Sequence, residues 1–142
     1  MDLVLYSLKY KSLLLDYMSE ADLKRYTNQG KYSVLSLLGI YHSDLYLCLN
    51  GNKVVGCICV RNKLSKRCKR EFWIYDVLIL PEYRGQGYSK EMMKLAIEKC
   101  KGTYVSLYVY CDNKVALGLY KKIGFKEEGQ KNEMILMRYS KV

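Results

Sequence analysis

Two periods of hydrophobic residues run through this chain, one typical of strands and one typical of helices. Alternation with a period of two predicts a strand, whereas apolar residues three and four positions apart predict a helix with one buried face. The predicted strands are Leu3–Leu8, Asp44–Leu49, Lys53–Val60, Phe72–Leu80, Tyr104–Tyr110 and two short strands within Phe125–Tyr139. The predicted helices are Lys11–Tyr26, Ser33–Tyr41, Ser89–Lys101 and a segment that begins at Asp112 and Asn113 and ends at Gly124.

The order of these elements, β-α-α-β-β-β-α-β-α-β-β, predicts the fold class. Asn50–Asn52 is a strong hairpin turn, because asparagine and glycine tolerate positive φ. The later strand-helix-strand unit favours a parallel pair of strands. We therefore expect a mixed α/β fold in a single domain over residues 1–142, with a mostly antiparallel sheet of about seven strands and about four flanking helices.

Composition and charge restrict the possible partners. Half of the 142 residues are hydrophobic, so one packed core is feasible. The formal net charge of +10 favours an anionic partner, which includes nucleic acid, an acidic membrane or a polyphosphate cofactor. The chain begins without a secretory signal, and no apolar run approaches the roughly 20 residues that a membrane span needs. We therefore expect a cytoplasmic protein with no membrane partner.

The cysteines predict buried thiols rather than metal ligands. Zinc sites use closely spaced cysteine and histidine pairs, but this chain has no C-x-x-C pair and a single histidine, His42. Most of the cysteines lie in apolar segments, where a reduced thiol behaves as a small hydrophobic group. The six are Cys48, Cys57, Cys59, Cys68, Cys100 and Cys111.

The segment L-P-E-Y-R-G-Q-G-Y-S-K-E-M-M-K, residues 80–94, is the strongest candidate for a ligand site. Pro81 lacks the N–H group that a sheet ladder needs, so the preceding strand ends there. Gly85 and Gly87 permit a tight turn and close approach of a ligand to the backbone. The helix that follows begins with amide groups that favour a phosphate, and Arg84 adds a full charge. These features are typical of a pyrophosphate-binding loop.

Common phosphate-binding fingerprints do not match this loop, but a longer pattern does. Lys90 stands where the dinucleotide motif G-x-G-x-x-G has its third glycine, and the Gly-Lys-Ser/Thr of a P-loop is absent. V-L-I-L-P-E-Y-R-G-Q-G-Y-S, residues 77–89, resembles the acetyl-coenzyme A signature of the GNAT acetyltransferase superfamily, a strand and a proline followed by R/Q-x-x-G-x-G/A. N-K-V-A-L-G-L-Y-K-K-I-G-F, residues 113–125, resembles the N-x-x-A-x-x-x-Y-x-x-x-G-F segment of that family. Ser89 replaces the last small residue of the first motif.

The resemblance implies an acetyl-coenzyme A site. Backbone amides of Arg84–Ser89 would hold the pyrophosphate, and the strand edge at Val77–Leu80 would pair with the pantetheine arm and direct an N–H group at the thioester carbonyl. Asn113 would hydrogen-bond the pantetheine, and Tyr120 would protonate the departing thiolate. The cofactor-binding residues predicted in this way are Val77, Leu78, Ile79, Arg84, Gly85, Gln86, Gly87, Tyr88, Ser89, Asn113 and Tyr120.

The sequence leaves the general base open. An amine must lose a proton before it attacks a thioester, and many members of the family use a glutamate in the strand before the loop. The positions where that glutamate is expected carry Trp73 or Tyr75. Asp76 and Glu71 remain as catalytic candidates, and strand alternation places Asp76 on the face opposite the other three. Asp76 is equally interpretable as a cap for backbone groups, and Tyr120, one of 15 tyrosines, as a core residue.

These motifs predict an N-acetyltransferase that moves an acetyl group from acetyl-coenzyme A to a primary amine by direct attack in a ternary complex, with Tyr120 as general acid. The alternative is a basic nucleic-acid-binding module, favoured by the net charge and by the basic segment Arg61–Arg70, which is predicted to be a loop. The tyrosines are spread over strands and helices and predict no single aromatic stripe. A third interpretation is an acetyltransferase that acts on a ribosomal or RNA-linked acceptor. The resemblance also allows a homodimer, and it places the acceptor between the first helices and the last hairpin.

Overall fold

The computed structural model describes residues 1–21, 23, 41–64 and 69–141. The strands are β1 (Asp2–Leu5), β2 (Tyr41–Asn50), β3 (Lys53–Leu64), β4 (Arg70–Ile79), β5 (Tyr104–Tyr110), β6 (Lys126–Lys131) and β7 (Met134–Ser140). The described α-helices are α1 (Lys11–Leu15), α2 (Tyr88–Lys99) and α3 (Lys114–Ile123), and 3₁₀ turns span Leu8–Tyr10 and Pro81–Tyr83. None of the helices in this part of the chain is long and apolar enough to cross a membrane.

The seven strands form one sheet in the order β1-β2-β3-β4-β5-β7-β6. Within the described residues, β4 and β5 are the parallel pair, and they pair only at Phe72 with Val105 and at Trp73 with Ser106. Because β4 continues to Ile79 and β5 to Tyr110, the two strands are separate over their carboxyl ends. We call this gap the β4–β5 opening. The mixed, mostly antiparallel α/β fold predicted from the element order is confirmed.

Both faces of the central sheet are covered, which explains the unbroken apolar run of β3. On one face, side chains of the sheet pack with α2 and α3 in a core that includes Ile58, Ile74, Met92, Met93, Leu107, Leu117 and Met137. On the other face a smaller cluster joins the first helical segment to β2 and β3 and contains Leu14, Leu23, Leu45, Leu47, Cys57 and Cys59.

Several of the predicted boundaries are wrong. The first strand was predicted to reach Leu8, but β1 ends at Leu5 and Leu8 begins a 3₁₀ turn. The helix predicted over Lys11–Tyr26 is interrupted, because α1 ends at Leu15 and a turn follows. Residues 20, 21 and 23 are helical again, and residues 22 and 24–26 lie outside the described part of the chain. The predicted helix Ser33–Tyr41 lies outside the described residues except for its last residue, which begins β2. Part of the predicted basic loop is strand, because Arg61–Leu64 pairs with β4 on one side, and residues 61–63 pair with β2 on the other. Pairing on both sides outweighs the low strand preference of charged side chains.

Gly56 fixes the position of the end of β4, and we expect its replacement by alanine to destabilise the fold. A Cβ atom there would lie inside contact distance of the Leu78 carbonyl oxygen and 2.9 Å from Ile79 Cδ1. The carbonyl belongs to the paired backbone and cannot rotate away, so we expect Gly56→Ala to cost about 2 kcal/mol, which thermal unfolding measures. Gly129→Ala is the matched control, because a Cβ atom at Gly129 meets nothing within 4 Å. Equal melting temperatures for the two variants would contradict this account.

Candidate active site

The predicted phosphate-binding loop follows β4 directly. Its first residue, Leu80, donates its N–H group to the Val55 carbonyl at 2.9 Å, and Pro81 opens a single 3₁₀ turn, so the strand ends where the proline predicted. Gly85 and Gly87 have φ angles of 77° and 83°, in the left-handed region that favours glycine. No atom lies within 4 Å of a Cβ atom built on either glycine. The space above both residues is therefore open to a ligand.

Neighbouring side chains hold this loop in place. Arg84 donates from Nε to the Ile79 carbonyl at 3.0 Å and so ties the loop to the end of β4. Asn50, the last residue of β2 before the β2–β3 turn, donates from Nδ2 to the Tyr88 hydroxyl at 2.9 Å. The sequence identified Asn50 only as a turn residue, since no local pattern shows that this turn reaches the first turn of α2. The loop is thus fixed from two sides with its glycines exposed.

Helix α3 presents the second motif beside the first. Asn113 caps the helix, and its side-chain oxygen accepts from the Ala116 N–H group at 3.2 Å. Tyr120 is 8% exposed and belongs to the same packed cluster as Val77 and Tyr88. Burial raises the pKa of the Tyr120 hydroxyl above its ordinary value, so this group keeps its proton at neutral pH. Tertiary packing thus places Tyr120 in the same core as the strand and the helix that flank the loop.

Asp76 lies at a bulge that the sequence did not predict. Cys57 of β3 is opposite Leu78, but Cys59 is opposite Tyr75, so two residues of β4 face a single residue of β3. Asp76 is exposed and has a φ of 51°, a left-handed conformation that aspartate adopts more readily than most residues. Its charge acts on the Cys57 and Cys59 thiols and raises their pKa, in addition to the larger effect of burial.

The bulge overturns the predicted alternation after Tyr75. Unbroken alternation would place Val77 on the same face as Tyr75, with Leu78 on the other face. Instead, Val77 and Ile79 pack with Ile74 in the larger core, and Leu78 packs with Tyr75 in the smaller one. The extra residue shifts the pattern by one between Tyr75 and Val77, so the predicted alternation is interrupted at Asp76 itself. Val77 and Ile79 consequently share a cluster with Tyr120, and Leu78 does not.

The structure separates the two candidate bases. Glu71 lies near the start of β4, before the last paired position at Trp73, whereas Asp76 lies beyond it in the β4–β5 opening. Five residues of strand correspond to about 16 Å. Of the two carboxylates, Asp76 is therefore the one on the same side of the pairing point as the loop.

Aromatic side chains line the sheet next to the opening, and the sequence did not predict this grouping. Trp73 stacks on Tyr108 with ring centroids 5.4 Å apart, and Tyr75 lies 6.5 Å from Trp73. The indole N–H group of Trp73 is buried and has no hydrogen-bond partner within the described residues. Beyond Tyr108, a cleft of about 410 Å³ reaches the short β6–β7 turn, lined by Tyr108, Tyr110, Lys131, Asn132, Glu133 and Met134.

The thiols are packed as the sequence predicted. Cys48, Cys57, Cys59 and Cys100 are free and buried, Cys111 is half-buried, and Cys68 lies outside the described residues. Burial raises the pKa of Cys48 to about 11 and those of Cys57 and Cys100 to about 12, so these three are unreactive thiols at neutral pH. In the described part of the chain no three metal-ligating side chains lie together.

A sequence profile of the acetyltransferase (GNAT) family matches residues 10–125, which include both motifs and the strands between them. The chain belongs to this family. Its seven-stranded sheet and the opening between β4 and β5 are therefore the GNAT fold of this protein.

Curated GNAT relatives are similar over part of their length. An uncharacterised N-acetyltransferase of Methanocaldococcus jannaschii is 34% identical over 88 residues, which are 58% of this chain and 39% of the relative. The N-alpha-acetyltransferase RimI of Mycobacterium tuberculosis is 28% identical over 80 residues, 56% of this chain and 50% of the relative. A putative ribosomal protein bS18-alanine N-acetyltransferase of Bacillus subtilis is 41% identical over 59 residues, 39% of each. The matches therefore span about half or less of these relatives.

Solved GNAT structures share the fold across the whole chain. A spermidine N-acetyltransferase chimera from Vibrio cholerae superposes with a TM-score of 0.73 at 15% identity, covering 99% of this chain and 96% of the other. A Bacillus subtilis acetyltransferase in complex with CoA gives a TM-score of 0.70 at 16% identity, covering 99% and 97%. These likenesses establish the fold.

Proposed function

We propose that this chain transfers an acetyl group from acetyl-coenzyme A to the α-amino group of a protein. The observation that carries acetyl transfer is that the loop of left-handed glycines follows the end of β4, beside the β4–β5 opening. The residues that flank this loop, Val77 and Tyr88, pack in the same core as Tyr120. The structure of the Bacillus subtilis acetyltransferase with CoA supports the choice of donor, since that protein shares the fold.

The loop fits the pyrophosphate of the donor. The positive φ angles of Gly85 and Gly87 leave open space that any Cβ atom would begin to fill. The first amide groups of α2 have no partner inside the helix and carry partial positive charge, which favours a phosphate. Arg84 and Lys90 are exposed cations at the same place. In this proposal Asn113 contributes its amide N–H group to the pantetheine while its oxygen caps α3.

The proposed chemistry is a direct displacement. The amine nitrogen attacks the thioester carbonyl carbon, so that a C–N bond forms and the C–S bond breaks. Tyr120 gives its hydroxyl proton to the leaving sulfur, and the proton of the amine passes to Asp76, directly or through water. An N–H group of the separated part of β4, within Val77–Leu80, stabilises the oxygen that becomes negative. Tyr120 then takes up a proton from solvent, and Asp76 releases to solvent the proton that it accepted.

The positions where the family's glutamate base is expected carry Trp73 and Tyr75, and the lack of a carboxylate there favours an α-amine acceptor. A protein α-amine, with a pKa near ~7.8, is about one-tenth neutral at pH 7, whereas a lysine amine is neutral in fewer than about one molecule in a thousand. A weakly placed base is therefore sufficient for an α-amine. The names of the Mycobacterium tuberculosis and Bacillus subtilis relatives, which specify an N-alpha and an alanine acceptor, support the same choice.

The proposal is tested by incubating the chain with acetyl-coenzyme A and three acceptors, with products identified by mass spectrometry. The acceptors are a peptide with a free N-terminal alanine, the same peptide with its α-amine blocked and one lysine added, and spermidine. We expect acetylation of the first peptide. Acetylation of the lysine peptide or of spermidine alone would overturn the α-amine acceptor, and a failure to acetylate any amine would overturn acetyl transfer.

A further inference from the structure

A second cleft lies at the opposite end of β4 and β5 from the acetyl-coenzyme A loop. It has a volume of about 940 Å³ and is lined by residues at the amino ends of both strands. Four of its ten lining residues are cations, Lys69, Arg70, Lys101 and Arg138, and one, Glu71, is acidic. Because β4 has ten residues, the cleft is about 30 Å from the loop. These cations therefore lie too far from the loop to contact a pyrophosphate bound there.

Arg138 and Tyr104 form the ordered centre of this cleft. The Arg138 Nε group donates to the hydroxyl of Ser106, a residue only 5% exposed, at 3.2 Å. A weak ion pair of 3.5 Å joins Arg138 to Glu128, and the guanidinium carbon lies 5.6 Å from the centre of the Tyr104 ring. These contacts fix the guanidinium, while Tyr104 stays 52% exposed. The cleft thus presents a positioned cation and a half-open aromatic ring together.

The cations at the rim extend this surface. Arg70 donates from Nη1 to the Asn62 side-chain oxygen at 3.1 Å, which holds its guanidinium at the mouth of the cleft. Lys69 and Lys101 also line the cleft and are exposed. The negative charges of Glu71 and Glu128 offset two of the four positive charges, so the region keeps a net positive charge. An anionic ligand is therefore favoured.

We propose that this cleft binds single-stranded nucleic acid. Such sites combine cations, which contact the phosphate backbone, with an exposed aromatic ring, on which a base stacks. An acidic peptide would use the cations but leave Tyr104 without a stacking partner, and a duplex would keep its bases inside the helix. The binding does not depend on the proposed acetyl transfer, since it needs neither acetyl-coenzyme A nor Tyr120.

The test is fluorescence anisotropy with a labelled twelve-nucleotide oligouridine, titrated with the full chain at several KCl concentrations. A single-strand phosphate contact contributes about 0.7 to the slope of log K against log salt. We therefore expect Arg70→Gln/Lys101→Gln to weaken binding at least tenfold at low salt and to reduce that slope by about 1.4. Tyr104→Ala should weaken binding at least fivefold with the slope unchanged. Lys53→Gln/Lys122→Gln, which removes the same charge at exposed positions outside the cleft, should have little effect.

Each other result overturns the proposal. Equal weakening by the two double variants would show attraction by net charge alone, and tighter binding of a labelled polyglutamate peptide would assign the cleft to acidic protein segments. Undetectable binding of oligouridine and oligothymidine at 50 mM KCl would exclude a nucleic-acid site. The oligothymidine arm separates DNA from RNA, and circular dichroism of each variant excludes unfolding as the cause of lost binding.

Discussion

Replacing Gly87 by tryptophan is expected to abolish the stabilisation of this chain by acetyl-coenzyme A. At a ligand concentration of 100 times Kd, binding to the native protein should add about 2.7 kcal/mol, which corresponds to an increase in melting temperature of about 10 °C for a chain of this size. Gly87 caps α2, and the space above it is empty within 4 Å of a Cβ atom. An indole ring there occupies the proposed pyrophosphate position, so thermal unfolding with increasing ligand should show no shift.

Gly87→Ala is the matched control for backbone strain. Both variants place an ordinary residue at a φ of 83°, which costs about 1–2 kcal/mol without ligand. The two variants should therefore have similar melting temperatures in the absence of ligand. With acetyl-coenzyme A, the alanine variant should keep more of the increase in melting temperature than the tryptophan variant. A tryptophan variant that keeps the full increase would remove the loop from the coenzyme site.

Tyr120→Phe is expected to lower kcat by about 100-fold while leaving the affinity for acetyl-coenzyme A unchanged, because general acid catalysis contributes 10²-fold or more. Phenylalanine keeps the packing of this residue against Phe125, whose ring centroid lies 5.8 Å away, so the fold should be retained. Since only the transition state uses the proton, kcat and kcat/KM should fall together. Steady-state kinetics with the acceptor peptide measures both, and a thermal titration measures donor affinity.

Tyr139→Phe supplies the comparison for the loss of a hydroxyl group from the same cluster. Tyr139 also packs against Phe125, with ring centroids 5.6 Å apart, and has no proposed role in catalysis. Its variant should keep native kcat. If Tyr120→Phe also kept native kcat, Tyr120 would be a core residue, which is the alternative that the sequence left open.

Elements that depend on local preferences could be predicted from the sequence. Pro81 ends a strand because it lacks an N–H group, and Gly87 permits a left-handed turn because it lacks a Cβ atom. Asn113 caps α3 because its side-chain oxygen reaches an amide three residues further on. Each effect acts within a few residues, so the two motifs and the elements around them were predicted close to where the structure has them.

Features that depend on pairing between distant segments could not be predicted in this way. The bulge at Asp76 arises from the register of β4 against β3, and no residue near Asp76 specifies it. Arg61 lies in a strand because β2 and β4 pair with it on both sides, although its own segment is highly charged. The stacking of Trp73 on Tyr108 joins two strands that α2 separates in sequence.

By itself the sequence determined the family, the order of the seven strands and of the last two helices, and the loop proposed for acetyl-coenzyme A, because these follow from side-chain type and short spacing. Only the tertiary structure decided which carboxylate lies in the β4–β5 opening, and which cations meet Tyr104 in the second cleft. Both depend on where strands pair and where they separate, and that is fixed by hydrogen bonds and packing between residues far apart in the chain.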